Sequence, residues 1–279
     1  MKQLIFLGLI LSSSLCIASE FNVQKFPLTF RSGDRAGVFG KFRIQDKDYS
    51  LLIDSGASGH GLNYKLVKKM KLALGKTGEG STPHGDIHII HIGTIHTQIN
   101  GKPLDLRDAI TVKNDPGDLS LEKDGIWGTV SPSALADDKL AVLDLAKPAM
   151  YLIYPVPKNI MGWLMGKYSD FDFDELPRVS GRPYVEMIET TVDDLGNLKM
   201  TVDSGATTTN IYSDSIGDSS KPISIWIQKH RCSTPMARIR SIGSPGHQNH
   251  LLGMDCLQGK ILVFPPTNLQ MLWIGWPKK

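Results

Sequence analysis

One seven-residue pattern occurs twice in this 279-residue chain, and that repeat restricts the fold more than any other feature of the sequence. Leu51-Leu52-Ile53-Asp54-Ser55-Gly56-Ala57 is matched by Met200-Thr201-Val202-Asp203-Ser204-Gly205-Ala206. The segments downstream of the two copies match as well. After the first come Gly125-Ile126-Trp127-Gly128, a short helical stretch opened by Ser131 and Pro132, the run Leu140 to Leu145, a Lys147-Pro148 turn, and Met150 to Tyr154. After the second come Leu251-Leu252-Gly253, a short segment through Leu257, the run Lys260 to Phe264, a Pro265-Pro266 turn, and Leu269 to Ile274. Two copies of one supersecondary arrangement imply two similar lobes.

Most of the remaining sequence is short β-branched runs cut by Gly, Pro, Asn and Asp, among them Val38 to Ile44, Tyr49 to Ile53, Asp86 to Ile92, Ala109 to Val112 and Ile223 to Ile227. Such runs read as strands, so the chain is expected to be mainly β. A helix is expected over Tyr64 to Ala73, capped by Asn63, with Leu66, Val67, Met70 and Leu74 on one face. Asp193, Asp194, Gly196 and Asn197 read as a turn between strands. The lobes are placed at 24–154 and 183–279, joined by a proline-containing connection over 155–182. The first copy is the longer, with 74 positions from Asp54 to Gly128 against 50 from Asp203 to Gly253. Much of the surplus is the Gly-rich stretch Gly75 to Gly85, a candidate mobile hairpin of the kind from which lids are built.

At Asp54-Ser55-Gly56-Ala57 and Asp203-Ser204-Gly205-Ala206 the chain resembles the aspartic peptidases, and with Ala in the fourth place it is most similar to the retropepsin branch. Ile126-Trp127-Gly128 and Leu251-Leu252-Gly253 resemble the second signature of the same fold. Two lobes in one chain resemble pepsin, whereas each lobe resembles a single retropepsin subunit. The second lobe is smaller than pepsin's, and Thr77 to His91 holds no flap tyrosine. The resemblance covers about residues 24 to 154 and 183 to 276. It implies an acid protease fold, two β-barrel lobes with a cleft between them, and endopeptidase activity on peptide or protein substrates. It also implies that the hydroxyls of Ser55 and Ser204 reach the backbone of the opposite loop. Both carboxylates come from one chain, so a monomer is expected, and no cofactor is implied.

The chemistry is consistent with these residue types. Peptide hydrolysis by water needs a base for the water and a proton for the leaving amine, and two carboxylates sharing one proton supply both. Asp54 and Asp203 each end an apolar run that would fix the backbone. Gly56 and Gly205 allow close approach and present N–H groups to the carboxylates. Ile126, Trp127, Leu251 and Leu252 would wall the substrate site and limit water access, a role compatible with ordinary core packing. A rival expectation is a catalytically silent peptide-binding module on the same fold, motivated by the reduced second lobe.

Other features exclude alternatives. His60 lies too close to Asp54 in sequence for a Ser-His-Asp triad, whose members converge from different elements. His84, His88, His91 and His96 lack a carboxylate at ligand spacing, so no metal site is expected. The formal charge of +3 falls to +2 without Lys2, and no Lys/Arg run is interleaved with aromatics, which argues against nucleic acid. Lys2, the apolar Leu4 to Leu11 and small residues ending at Ala18 read as a signal peptide over 1–18. Cys16 is not read as a lipid-attachment site, because Leu15 stands where a small residue is wanted. A periplasmic or secreted protein without membrane attachment after processing is expected. Cys232 and Cys256 remain, and whether they pair is open.

Overall fold

Burial alternates from Gly40 to Ile44 and is continuous from Leu51 to Ile53, and the two segments share an inner row of Phe42, Ile44, Leu51 and Ile53. They pair antiparallel through Gln45 and Asp46, whose φ angles of 46° and 62° suit a two-residue hairpin turn. Asn100-Gly101, with φ of 50° and 75°, does the same for a longer hairpin. These local choices recur throughout the computed structural model, which describes residues 21–279 except 34–35, 83–84, 114–121, 180–183, 214–218 and 241–248. The expected signal peptide and His84 lie outside the described residues.

In chain order, β1 (Asn22–Pro27) is followed by β2 (Thr29–Arg31), β3 (Gly37–Ile44), β4 (Lys47–Ile53), β5 (Gly61–Leu62), β6 (Thr77–Thr82), β7 (Gly85–Ile99), β8 (Lys102–Val112) and β9 (Ile126–Val130). Next come β10 (Leu140–Asp144), β11 (Ala149–Tyr154) and β12 (Phe171–Pro177). The second half supplies β13 (Met187–Val192), β14 (Gly196–Val202), β15 (Asn210–Tyr212), β16 (Ser219–Ile227), β17 (His230–Arg240) and β18 (His250–Leu252), then β19 (Ile261–Phe264) and β20 (Met271–Pro277). Four short helices are described: α1 (Tyr64–Lys69), α2 (Pro132–Leu135), α3 (Ile160–Lys167) and α4 (Met254–Leu257). None is long and apolar enough to cross a membrane.

Two six-stranded barrels result. In the first, the order β3-β4-β9-β5-β8-β7 closes through the Arg43–Gln98 pair of β3 and β7. In the second, β13-β14-β18-β15-β17-β16 closes through β13 and β16. A third sheet, β1-β11-β10-β19-β20-β12, draws three strands from each half. Its order is palindromic about the antiparallel β10–β19 pair, where Leu143 faces Leu262 and Ala141 faces Phe264. The two halves are therefore related by an approximate twofold axis through this pair. One face of the sheet joins the main core with Leu143, Met150, Leu262 and Phe264, and α3 packs on the other face over Val142, Tyr151 and Trp273. The described part of the connection between the lobes, residues 155–179, carries α3 and an edge strand.

The first helix is shorter than its sequence suggests. Asn63 caps it by accepting from the Lys65 N–H at 2.9 Å, and Leu66 and Val67 are buried. It ends at Lys69 because Lys71 takes a positive φ of 54°, which leaves Leu74 46% exposed instead of on the apolar face. Asp193 and Asp194 lie in the β13–β14 turn, with Asp194 at φ 67° and Gly196 at 75°. Cys232 on β17 and Cys256 on α4 are disulfide-bonded, with Cα atoms 5.6 Å apart. The bond ties the hairpin wall of the second barrel to the helix after Gly253.

Candidate active site

Each Asp-Ser-Gly turn hangs from the end of a strand that is paired in parallel on one side. Ile53 lies beside Val130 in the β4–β9 pair, and Val202 lies beside Leu252 in the β14–β18 pair. The Asp54 N–H then donates to the Val130 carbonyl at 2.9 Å, and the Asp203 N–H to the Leu252 carbonyl at 3.0 Å. Both aspartates are therefore fixed by backbone bonds before their side chains do anything.

The two turns lock to one another. The Ser55 hydroxyl donates to the Val202 carbonyl at 2.7 Å and accepts from the Ser204 N–H at 2.9 Å. Reciprocally, the Ser204 hydroxyl donates to the Ile53 carbonyl at 2.8 Å and accepts from the Ser55 N–H at 3.0 Å. Both serines are fully buried, so each of these four bonds is made away from water. Losing one partner would strand a buried polar group.

Above this lock sit the carboxyl groups. One oxygen of Asp54 accepts from the Gly56 and Ala57 N–H groups at 2.8 and 3.1 Å, and one oxygen of Asp203 accepts from Gly205 and Ala206 at 2.9 and 3.0 Å. A Cβ on Gly56 would lie 2.5 Å from the Asp203 carboxyl carbon, and one on Gly205 would lie 2.5 Å from that of Asp54. Each glycine thus packs against the carboxyl group of the other loop, which leaves no space for a side chain. The Asp54 and Asp203 side chains are hydrogen-bonded to each other.

Burial raises both carboxyl pKa values above the usual range. At Asp203 the negative charge of Asp54 and the bond to it add to this, and its pKa stands well above normal. At Asp54 the bond to Asp203 and the backbone N–H groups of Gly56 and Ala57 oppose the rise. Two like charges so close cannot both be stable, so the pair retains one proton between its two carboxyl groups.

The remaining sequence-proposed residues divide. Ile126 is buried with Phe39 and Leu52, and Leu252 is buried in the main core, whereas Trp127 and Leu251 are half-buried. The strand register also shifts the expected match between the two halves. Since Val130 stands where Leu252 stands, the residue equivalent to Gly253 is Ser131, not Gly128. Gly128 serves a different contact: a side chain there would collide with the Gly61 carbonyl of β5. Alignment on the shared glycine misplaced the register by three residues.

His60 and Thr209, each six residues beyond its aspartate, complete the support. The Ser131 N–H donates to His60 Nδ1 at 3.3 Å, and at the equivalent place the Gly253 N–H donates to the Thr209 hydroxyl oxygen at 3.1 Å. Asp255 accepts from both the Thr209 N–H and hydroxyl, at 2.9 and 2.7 Å. His60 is buried, which pushes its pKa down to about 4. Equal spacing from each Asp-Ser-Gly was the available signal, but His and Thr share no obvious chemistry until both are seen as acceptors. His88 pairs with Glu79 and His96 with Asp105 on the surface of the first lobe. Among the described residues no group of three His, Cys, Asp or Glu side chains is placed to hold a metal ion. Neither a scan of protein-family models nor a search of curated proteins finds a match to this chain.

Proposed function

We propose that this protein is an aspartic endopeptidase that hydrolyses peptide bonds with a water held between Asp54 and Asp203. The observation that carries the reading is the reciprocal Ser55–Ser204 lock, which delivers two hydrogen-bonded carboxyl groups from different lobes to one point. In the proposed step Asp54 removes a proton from the water, whose oxygen bonds to the scissile carbonyl carbon. Asp203 gives its proton to the carbonyl oxygen. Collapse of the tetrahedral diol breaks the C–N bond, the proton held by Asp54 passes to the leaving amine, and a diol hydroxyl returns a proton to Asp203. Catalysis needs no acyl-enzyme and no cofactor. The β6–β7 hairpin, paired from Thr77–Ile90 to Thr82–Gly85, is proposed as the cover of the cleft. Export to a periplasm or the medium is proposed from the N-terminal sequence, and the Cys232–Cys256 disulfide suits such an oxidising compartment.

The test compares wild type, Asp54→Asn, Asp203→Asn and the double variant on a set of unfolded protein substrates across acid to neutral pH. Each single variant should lose nearly all cleavage while keeping the fold, and the double should be little worse, as for groups acting as a unit. A statine-type inhibitor should bind wild type and lose affinity for both single variants. Undiminished cleavage by Asp203→Asn would remove the two-lobe mechanism. Peptide binding without any cleavage by wild type would make the silent binding module the better description.

A further inference from the structure

Side chains alternate along a strand, so Leu52 points to the same side of β4 as Asp54, and Ser50 and Asp48 continue that row. Their antiparallel partners on β3 are Phe39 opposite Leu52, Lys41 opposite Ser50, and Arg43 opposite Asp48. Moving away from Asp54 the strip is therefore first apolar and then charged. A cavity of about 290 Å³ opens along it, with Arg31, Phe39, Lys41, Asp48, Ser50 and Trp127 in its wall. At about 3.3 Å per residue it begins roughly 7 Å from Asp54, passes Ser50 at roughly 13 Å and reaches Asp48 roughly 20 Å away along the strand.

The cavity is built to hold a positive charge in a fixed place. The Arg31 guanidinium lies over the Phe39 ring, 4.5 Å from its centroid, and donates to the Ser50 hydroxyl at 3.3 Å and to the Asp124 carbonyl at 3.2 Å. Those bonds occupy two of the five donors that a guanidinium carries. Lys41 lies 3.0 Å from Asp48, and Arg43 lies 4.0 Å from the same carboxylate, so two cations share one anion. The second lobe lacks this character. Its corresponding strip, starting two residues before Asp203, pairs Met187 with Thr201, Glu189 with Lys199 and Thr191 with Asn197. The halves share a backbone plan, but the second-lobe strip carries one Glu189–Lys199 pair and no net charge.

We propose that this cavity is a charge-selecting subsite that takes an acidic side chain, Asp or Glu, of the substrate, two to four residues from the scissile bond on the side that lies over the first lobe. The assignment rests on the endopeptidase reading, since it supposes an extended peptide running outward from Asp54 along β4. The immobilised guanidinium supplies the directional donors, and Lys41 and Arg43 together leave one positive charge beyond that of Asp48.

The test uses peptides that differ only in carrying Glu, Gln or Lys at those positions. Wild type should prefer Glu to Lys by roughly tenfold or more in kcat/KM, with the preference shrinking as ionic strength rises. In Arg31→Gln/Lys41→Gln the Glu-to-Lys ratio should fall toward one, with circular dichroism and thermal unfolding confirming the fold. A second arm measures binding of labelled Glu and Lys peptides to Asp203→Asn, with and without Arg31→Gln/Lys41→Gln. If wild type cleaves nothing but Asp203→Asn selects Glu peptides through Arg31 and Lys41, the peptidase reading fails and the subsite stands. Equal handling of Glu and Lys in both arms, or a preference that survives the double substitution, overturns the subsite.

Discussion

Acidification should weaken the first lobe through one residue, His60. In the fold its Nδ1 accepts a hydrogen bond from the Ser131 N–H, which it does only while neutral and protonated at Nε2. Ser131 comes directly after Val130, whose carbonyl anchors the Asp54 N–H, so the bond steadies the strand end that holds the Asp54 loop. The folded pKa of His60 is about 4 against an ordinary 6.5. A histidine with a depressed folded pKa binds fewer protons when folded. Its contribution is therefore complete above pH 6.5 and is lost as pH falls through about 4. At 1.36 kcal/mol per unit that difference corresponds to about 3 kcal/mol, and the side chain is buried, so solvent screening does not reduce it. The aspartate pair acts in the opposite sense, because its raised pKa values favour the folded state at low pH. His60→Thr isolates the histidine, since Thr209 shows that a hydroxyl can accept the same bond. Thermal unfolding of wild type and His60→Thr should be measured from pH 7 to pH 4. Wild type should lose roughly 6–12 °C relative to the variant over that interval. Parallel curves would refute the assignment of the effect to His60.

Three further perturbations probe the lock and its surroundings. Gly205→Ala places a Cβ 2.5 Å from the Asp54 carboxyl carbon, so peptide cleavage should fall by roughly a hundredfold or more, with initial rates as the readout. Ser55→Ala removes the donor to the Val202 carbonyl and the acceptor of the Ser204 N–H, leaving two buried groups unpaired. Urea unfolding should show a loss of about 2–4 kcal/mol. Reducing the Cys232–Cys256 bond, which spans 24 positions, should cost about 3 kcal/mol by loop entropy, measured as the denaturation midpoint with and without reductant.

The repeat makes the twofold plan of the fold legible in the sequence, because each Asp-Ser-Gly precedes the same order of strand, helix and hairpin. The hairpins over Leu140–Asp144 with Ala149–Tyr154, and Ile261–Phe264 with Met271–Pro277, sit where the turns at Lys147-Pro148 and Pro265-Pro266 place them. The central sheet was not legible, since its β10–β19 pairing joins residues about 120 positions apart by nothing but shape and burial. The three-residue register of Ser131 against Gly253 was hidden for a related reason. Sequence similarity favours the shared glycine, whereas parallel pairing is set by which carbonyl receives the aspartate N–H. The supporting role of His60 was not legible, because it depends on a backbone N–H some seventy positions away.

The central claim is that Asp54 and Asp203 form one proton-sharing pair, and carbon-13 NMR titration of the aspartate side-chain carboxyls tests it most directly. In wild type, one of the two carboxyls, assigned as Asp203, should remain protonated at pH values where ordinary aspartates have ionised. In Asp54→Asn the charge that helps to hold that proton is gone, so the Asp203 titration should move down. It should stay above the ordinary range, because burial still opposes ionisation. Two carboxyls that ionise independently in the ordinary aspartate range, with Asp203 unmoved by Asp54→Asn, would contradict the account.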